Sequence, residues 1–551
     1  MTARLTPARH LQQALRARSK DYIRAEDGSM MIFVMSLLVI MLMLGGMAVD
    51  LMRYEQRRTL LQQTNDRAVL AAASLTQDLV PTEVVGDHFD KAGLGEYLSG
   101  VTVTQGLNFR NVFADAEAEL QPFFMQMMGI DQLTVPSASM AEQRITNVEI
   151  MLVLDVSGSM QGAKLANLKT SAMEFVDTVK ERDAENRITI TIVPYNAQVN
   201  IPQALRARYN ITHQHGLAGV NCVEFPQTAF NTLTLSRSTA YPMYAFSDLT
   251  GSTTQGTSYV AWNNSSGGLM NPGASFCRNV AANMLRLPND NAVQLKSQIN
   301  ALVAEGNTSI TLGMKWGVAL LDPAARPVMT ELMSAGQIPA SHAGRPFDWV
   351  DDDAMKVIVV MTDGDHVEHA RINDTYKTGT SPIWKSTGDG NFSIQHVAGR
   401  PAIAGTNQFY VPHTDTWRAT PWNSGAGTAQ LQWQQVWQTQ RLRWVTWQLY
   451  ARALGTTPAT RTSTFNTWMN NFRSTWMNVG QMNTTMLQSC TQAKNNGVVV
   501  YGIAFEAPPQ GTAVISQCSS SPAHFFDANG LEIQSAFRAI ASNISQLRLT
   551  Q

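Results

Sequence analysis

The sequence is poor in charge and in cysteine. Of its 551 residues only 15% are charged, the formal net charge is -1, and cysteine occurs four times. No block of lysine or arginine follows Arg67, which argues against a nucleic-acid partner, because nucleic acids require a basic surface. The sequence also lacks the Cys/His spacings of zinc sites and the GxxxxGK[ST] loop of ATP-binding proteins, so neither site is expected.

One segment lacks charge altogether. Met30 to Val49 reads "MMIFVMSLLVIMLMLGGMAV", and a helix of this length spans roughly 30 Å, the hydrocarbon thickness of a bilayer. A secretory signal peptide is the alternative, but its apolar part is usually shorter, about 7 to 15 residues. We therefore predict a transmembrane helix over residues 29–50 behind a cytoplasmic tail, residues 1–28.

The cysteines help to orient this helix. Basic residues flank it on both sides, so the positive-inside rule favours a cytoplasmic N-terminus only weakly. All four cysteines follow the helix, and an even number in one compartment indicates two disulfides. Three pairings are possible, and we predict the shorter-range one, Cys222 with Cys277 and Cys490 with Cys518. The body of the protein is then extracytoplasmic.

Residues 51–145 are predicted to form a helix and a small stalk module. The helix continues from the membrane with one apolar side and ends at Pro81. That side contains Leu60, Leu61, Ala68, Leu70 and Ala71. Short alternating runs from about Val84 to Arg144 predict strands. The module contains no cluster of catalytic residue types.

Residues 146–551 alternate between strand and helix patterns, which predicts an α/β fold with a mostly parallel sheet covered on both faces. Two insertions interrupt the pattern, at about 206–289 and 366–479. The second contains nine of the twelve tryptophans, including Trp433, Trp437, Trp444 and Trp447 at helical spacing. These rings could form the core of the insertion or a partner-binding or glycan-binding surface.

Oxygen-bearing side chains follow two of the predicted strands. Asp155, Ser157 and Ser159 follow "VEIMLVL", and Asp363 follows "MKVIVVMT". Ligands of open α/β sheets gather at such carboxyl ends, and oxygen ligands suit a hard cation such as Mg²⁺. Alternatively, the same Asp and Ser side chains could cap the helix that starts near Gly162.

"DVSGSM", the Thr of "GNTSI" and the Asp of "MTDGD" resemble the three parts of a von Willebrand factor A domain with a metal-ion-dependent adhesion site. The resemblance covers residues 146–551 and implies a doubly wound, mostly parallel sheet. It also implies that Ser157, Ser159 and Thr308 are hydroxyl ligands of Mg²⁺ or another divalent cation. Asp155 and Asp363 would supply charge, partly through water, and an acidic group on a protein partner would complete the shell. Thr311 is the alternative to Thr308.

The chain has a tail, an anchor, an Ala-rich helix and an A-type domain in that order. This arrangement is similar to that of TadG-like proteins of the tight-adherence (Flp-type) pilus assembly systems. This resemblance implies a single-pass protein of the bacterial inner membrane with a periplasmic body. Its role would be metal-dependent protein binding in pilus assembly, secretion or adhesion, with other pilus components as partners.

We do not expect an enzyme, because the three motif segments contain no His, Lys or Cys that could move a proton. A mechanical stalk with a vestigial metal site, or a non-catalytic subunit of an energy-coupled complex, are the alternative functions.

Overall fold

The computed structural model describes Arg16, Ser19 and residues 27–545, except 75–76, 78, 106–108, 145–146, 182, 184–185, 250–267, 352–353 and 426. The predicted cytoplasmic tail, residues 1–28, thus lies almost entirely outside the described residues. The chain divides into two compact units between Ile145 and Thr146.

The first unit is built on one long helix, α1 (Asp27–Ala73). Its first half is apolar and exposed, and by length and composition it could cross a membrane. The helix continues beyond this segment, as predicted. The buried side of its second half differs from the prediction, because Leu60 and Leu70 are exposed whereas Leu61, Ala68 and Ala72 are buried.

A second helix and three antiparallel strands complete this unit: α2 (Pro81–Lys91), β1 (Leu98–Gln105), β2 (Phe109–Leu120) and β3 (Leu133–Arg144). The prediction of strand from Val84 onward was wrong for α2. Pro81 starts this helix, since proline is well suited to the first helical position. Val84, Val85 and Phe89 then bury its inner side, so apolar residues at helical spacing decided the conformation.

Within the described residues, the second unit contains fifteen strands. In chain order they are β4 (Asn147–Asp155), β5 (Ile188–Tyr195), β6 (Ile211–Thr212), β7 (Tyr241–Pro242), β8 (Arg286–Asn289), β9 (Ala354–Thr362), β10 (Ala370–Ile372), β11 (Thr380–Ser386), β12 (Phe392–Gln395), β13 (Phe409–Val411), β14 (Thr416–Arg418), β15 (Thr428–Gln432), β16 (Arg473–Thr475), β17 (Val499–Phe505) and β18 (Phe525–Ala528).

The helices of this unit lie mostly between those strands. They are α3 (Ala163–Lys180), α4 (Gln203–Arg206), α5 (Ala292–Ala301), α6 (Ile310–Leu321), α7 (Arg326–Ser334), α8 (Trp433–Thr439), α9 (Leu442–Trp444), α10 (Arg452–Leu454), α11 (Pro458–Phe472), α12 (Val479–Asn495), α13 (Pro509–Cys518) and α14 (Glu532–Ser545). A π-helical segment, Val445–Ala451, joins α9 to α10.

The central sheet has six strands in the order β18-β17-β9-β4-β5-β8. Pairing is parallel from β18 to β5, and the edge strand β8 is antiparallel to β5. Residues of β4 alternate between two buried clusters, one with α3, α5 and α14 and the other with α6, α12 and α13. The mixed α/β class is therefore confirmed. Within the described residues, the short β6–β7 pair is also parallel, and the strands of the other sheets pair antiparallel.

The two insertions do not form separate cores. Cys222, Tyr244 and Cys277 of the first pack in one cluster with Ile383 and Trp444 of the second. Four tryptophans of the second insertion, Trp433, Trp437, Trp444 and Trp447, are buried there, so they form core and not a binding surface. The predicted single helix around them is broken at Gln440, where the backbone is extended.

Both disulfides join the predicted cysteines. Cys222 is bonded to Cys277 within the first insertion, and Cys490 to Cys518 between α12 and the end of α13. The first bond supports the core shared by the two insertions, and the second fixes two helices on one face of the central sheet.

Candidate metal centre

Three chain segments meet at the carboxyl end of the central sheet. β4 and β9 are parallel neighbours with Leu154 opposite Met361, so Asp155 and Asp363 leave the sheet side by side. The loop before Thr308 is joined to them by the backbone, since the Gly158 N–H donates to the Gly306 carbonyl at 2.9 Å.

The predicted ligand side chains converge at this point. Ser157 Oγ lies 3.0 Å from Ser159 Oγ, and Ser159 Oγ donates to Asp363 Oδ1 at 2.7 Å. A Cβ placed on Gly364 would lie 3.6 Å from Thr308 Oγ1 and 3.9 Å from Ser159 Oγ. Ser159 is exposed, whereas the other four predicted residues are buried. The oxygen cluster therefore reaches the surface at Ser159.

Two glycines allow the loops to approach this closely. Gly306 has φ +80°, and a Cβ there would lie 3.2 Å from Asn196 Nδ2. A Cβ on Gly158 would lie 3.2 Å from the Gly306 carbonyl oxygen. A side chain at Gly306 would thus be strained by its backbone conformation, and one at Gly158 would push the two loops apart.

Asp155 is held rigidly at the base of the cluster. Its Oδ1 accepts from the Ser157 N–H at 2.8 Å, and its Oδ2 accepts from Thr362 Oγ1 at 2.7 Å. Burial, followed by the charge of Asp363, raises the pKa of Asp155 to about 6, although the hydrogen bonds from Ser157 and Thr362 oppose the shift. Two carboxylates this close repel each other when both are charged, and a bound cation would relieve that repulsion.

The donor set fits a hard divalent cation. It offers carboxylate and hydroxyl oxygens from three separate segments, without thiolate or imidazole, and Mg²⁺ prefers such ligands. Asp155, Ser157, Ser159, Thr308 and Asp363 would hold the ion. Among the described residues, no three His, Cys, Asp or Glu side chains lie close enough together to hold a metal ion. A cation at this site would therefore need hydroxyl ligands as well as the two carboxylates.

The helix-cap alternative finds no support in the geometry. Within the described residues, α3 begins after Gly162 with no side-chain cap. Ser157 and Ser159 instead interact with each other, and Ser159 with Asp363. Asp155 accepts a hydrogen bond from the N–H of Ser157, and that bond stabilises the turn after β4.

Thr311, the alternative to Thr308, has a different set of contacts. Its N–H donates to Nε2 of His366 at 3.0 Å, and its hydroxyl donates to the Met482 carbonyl at 2.6 Å. The hydroxyl of Thr311 therefore links α6 to α12. His366 is in turn fixed by Asn483 Oδ1, at 2.6 Å from its Nδ1.

Lys164, which no sequence pattern singled out, enters the site from α3. Its Nζ lies 3.0 Å from Asp363 Oδ2 and 3.7 Å from Glu506 Oε2. A cation in the first turn of a helix opposes the helix dipole. No local pattern pairs Lys164 with Asp363, because 199 positions separate them in the sequence.

Comparisons with known proteins identify the anchor segment. Residues 28–75 match the family model Tad, described as Flp pilus-assembly TadE/G-like. The match covers the exposed apolar half of α1 and its continuation along the first unit, so this segment is similar to that family. No curated protein matches the chain.

Several solved structures of pilus proteins are similar to the chain at low identity. The vWF domain of the type V pili tip protein Mfa5 from Porphyromonas gingivalis is 13% identical, with a TM-score of 0.30, over 73% of this chain and 95% of that one. The pilus adhesin SpaC from Lactobacillus rhamnosus GG is 11% identical, with a TM-score of 0.29, over 81% and 34%. The pilus adhesin RrgA from Streptococcus pneumoniae is 10% identical, with a TM-score of 0.26, over 82% and 49%. The chain thus spans less than half of either adhesin.

Proposed function

We propose that this chain is a membrane-anchored protein-binding component of a bacterial Flp-type pilus assembly, secretion or adhesion system. Its second unit acts as a doubly wound von Willebrand factor A-type domain with a metal-ion-dependent adhesion site. The anchor segment supports the pilus context through its Tad match. The oxygen cluster at the sheet edge supports the binding role, and the partner is a protein, such as another pilus component.

One observation carries the binding role. Five oxygen-bearing side chains from three segments gather at one sheet edge, and their alternative use as helix caps has no geometric support. Burying carboxylates such as Asp155 and Asp363 together is costly unless a cation compensates their charge. We infer that the cluster binds a ligand that offsets this charge.

The residues of the site have two roles: some hold the cation in place, and others lie at the surface where a partner could reach it. Asp155 is buried and fixed by two hydrogen bonds, so it positions charge below the site. Ser159 is exposed and faces solvent next to Asp363. A bound divalent cation would supply an open coordination position for an acidic group of the partner. The chain itself supplies a rigid oxygen frame around that position.

Metal titration tests this proposal. Calorimetry of the full-length protein in detergent with Mg²⁺ and Mn²⁺ should detect one site. Asp155→Ala and Thr308→Ala should weaken binding by more than about tenfold, which corresponds to about 1.4 kcal/mol. Asp177→Ala, a carboxylate of α3 that pairs with Lys296, is the control and should bind like the wild type.

Two results would contradict the proposal. Equal binding by all four proteins would place the metal elsewhere, and the absence of binding at millimolar metal would remove the site. Thr311→Val should keep binding, because the hydroxyl of Thr311 contacts Met482. Loss of binding in that variant alone would assign the ligand role to Thr311.

A mechanical stalk is the second candidate, and the ion pair of Lys164 with Asp363 favours it. An ammonium group at 3.0 Å already neutralises one carboxylate of the site. In that function the cluster needs no metal, and the second unit transmits force between the membrane and other components. Substitution of Lys164, described below, distinguishes the two candidates.

A further inference from the structure

The connection between β2 and β3, residues 121–132, exposes large apolar side chains. Phe123 is 66% exposed and Met127 is 70% exposed, and Phe124, Met128 and Ile130 are also exposed. We call this connection the β2–β3 loop. Contiguous apolar surface of this kind is uncommon on soluble proteins and marks a contact with a partner or a membrane.

The loop is fixed at the end of the apolar half of α1. The carboxylate of Asp50, which directly follows Val49, is fully buried. It accepts three backbone N–H groups of the loop, from Phe123 at 2.8 Å, Phe124 at 2.7 Å and Met125 at 2.9 Å. Charge-assisted bonds of this kind are strong, so the loop remains at the height of Asp50.

The ring of Phe124 lies nearer to the N-terminal end of α1 than Asp50 does. A Cβ on Gly46 would lie 2.3 Å from the ring of Phe124, so the absence of a side chain at Gly46 lets this ring pack against the helix. Gly46 precedes Asp50 by about one turn, or roughly 6 Å along the axis. The ring therefore lies beside a residue of the apolar segment itself.

A cation marks the polar boundary just above the loop. The guanidinium of Arg53 lies 4.0 Å from the centre of the Phe123 ring. Its Nη1 lies 3.4 Å from the carbonyl oxygen of Gln121 and 3.8 Å from Asp50 Oδ1. Arginine at the end of an apolar span usually places its charge at the lipid headgroups. The ring of Phe124, which lies beside Gly46 on the apolar side of Arg53, would lie in the outer hydrocarbon.

We propose that the β2–β3 loop inserts into the bilayer leaflet that surrounds the C-terminal end of the apolar segment. The partner is the lipid surface, because the exposed apolar side chains are continuous with an exposed apolar helix and lie at its edge. The loop and helix together form a two-point anchor that limits rotation and tilt of the first unit. This inference concerns the membrane and does not depend on the metal site.

Spin labelling of the full chain in phosphatidylcholine vesicles tests the proposal. A nitroxide on Met127→Cys should collide more with oxygen, which partitions into lipid, than with a water-soluble nickel chelate. A nitroxide on Glu83→Cys is the control, because exposed Glu83 lies in α2, which follows the far end of α1. That label should show the reverse. The native cysteines are bonded and do not react.

Two outcomes would overturn the proposal. If the label at residue 127 is as accessible to nickel as the control, the loop lies in water. If it is protected from both reagents, the loop is covered by protein, such as a second copy. Both labelled proteins should retain two disulfides on non-reducing analysis, and Met128→Cys repeats the test if Met127→Cys does not fold.

Discussion

Lys164 is the residue whose positive charge offsets the negative charge of the oxygen cluster. Its ammonium occupies the neighbourhood of Asp363 and also lies within 4 Å of Glu506. A divalent cation bound to the same oxygens would be close to this positive charge. Two like charges about 4 Å apart repel by about 1 to 4 kcal/mol at the effective dielectric constants of water and of protein surfaces. Lys164 therefore weakens metal binding or must move aside during it.

The first prediction follows from that repulsion. Lys164→Met, which retains a long side chain but removes the charge, should increase Mg²⁺ affinity by about tenfold, as expected from roughly 1.4 kcal/mol of relieved repulsion. Lys164→Arg is the matched control and should remain close to the wild type. Calorimetry at fixed ionic strength measures the difference.

An unchanged affinity in Lys164→Met would show that the ammonium is not close to the bound cation. Absence of Mg²⁺ binding in both the wild type and Lys164→Met would favour the stalk function. In that case the variant should instead lose thermal stability, because Asp363 would lack its counter-charge.

At the scale of elements, buried histidines connect the strands and helices of the second insertion. His396 follows β12, and its Nε2 lies 2.8 Å from the Leu449 carbonyl in the π-helical segment. Burial lowers the pKa of His396 to about 4, with the bond to Leu449 opposing the shift. Burial likewise lowers the pKa of His215, in the first insertion, to about 4.

The second prediction is acid destabilisation of this shared core. A histidine whose pKa is lowered on folding binds fewer protons in the folded state, so its stabilising contribution is complete above pH 6.5 and is lost as the pH falls toward 4. For His396 alone the loss is about 3 kcal/mol at pH 4. Tryptophan fluorescence during urea unfolding at several pH values measures it.

His396→Gln provides the control, because its amide can still donate to Leu449 but does not titrate in this range. Its free energy of unfolding should depend less on pH between 6.5 and 4 than that of the wild type. Parallel curves for the two proteins would contradict the assignment of this pH dependence to His396.

At the scale of the whole molecule, the apolar half of α1 fits a membrane anchor. It is the one helix among the described residues that is long and apolar enough to cross a membrane. The rest of the first unit follows directly, because α1 continues from this half into the packed core of that unit. The anchor and the folded part share one continuous helix, which suits a protein that stays at the membrane.

The third prediction concerns topology. A reporter that is active only in the periplasm, fused after Gln551, should be active in bacteria that express the full chain. The reason is that both disulfides follow the anchor and require an oxidising compartment. A fusion at the N-terminus is the control and should be inactive. The reversed pattern would contradict the predicted periplasmic location of the body.

The sequence by itself determined the elements whose signals are local. The uncharged segment predicted the first half of α1, and a helix was predicted to start near Gly162, where α3 begins. Apolar runs predicted β4 and β9, and Asp155 and Asp363 could be placed at one sheet edge because parallel neighbouring strands end together. In each case a periodicity or composition within one short segment carries the information.

Only the tertiary structure decided which distant segments meet. Glu224 of the first insertion and Lys377 of the second form a buried ion pair at 2.8 Å although 153 positions separate them. No local pattern encodes that contact, and the same holds for Lys164 beside Asp363 and for the β2–β3 loop beside Gly46. The physical reason is that these contacts depend on the three-dimensional path of the chain, whereas helices and strands arise from the spacing of neighbouring residues.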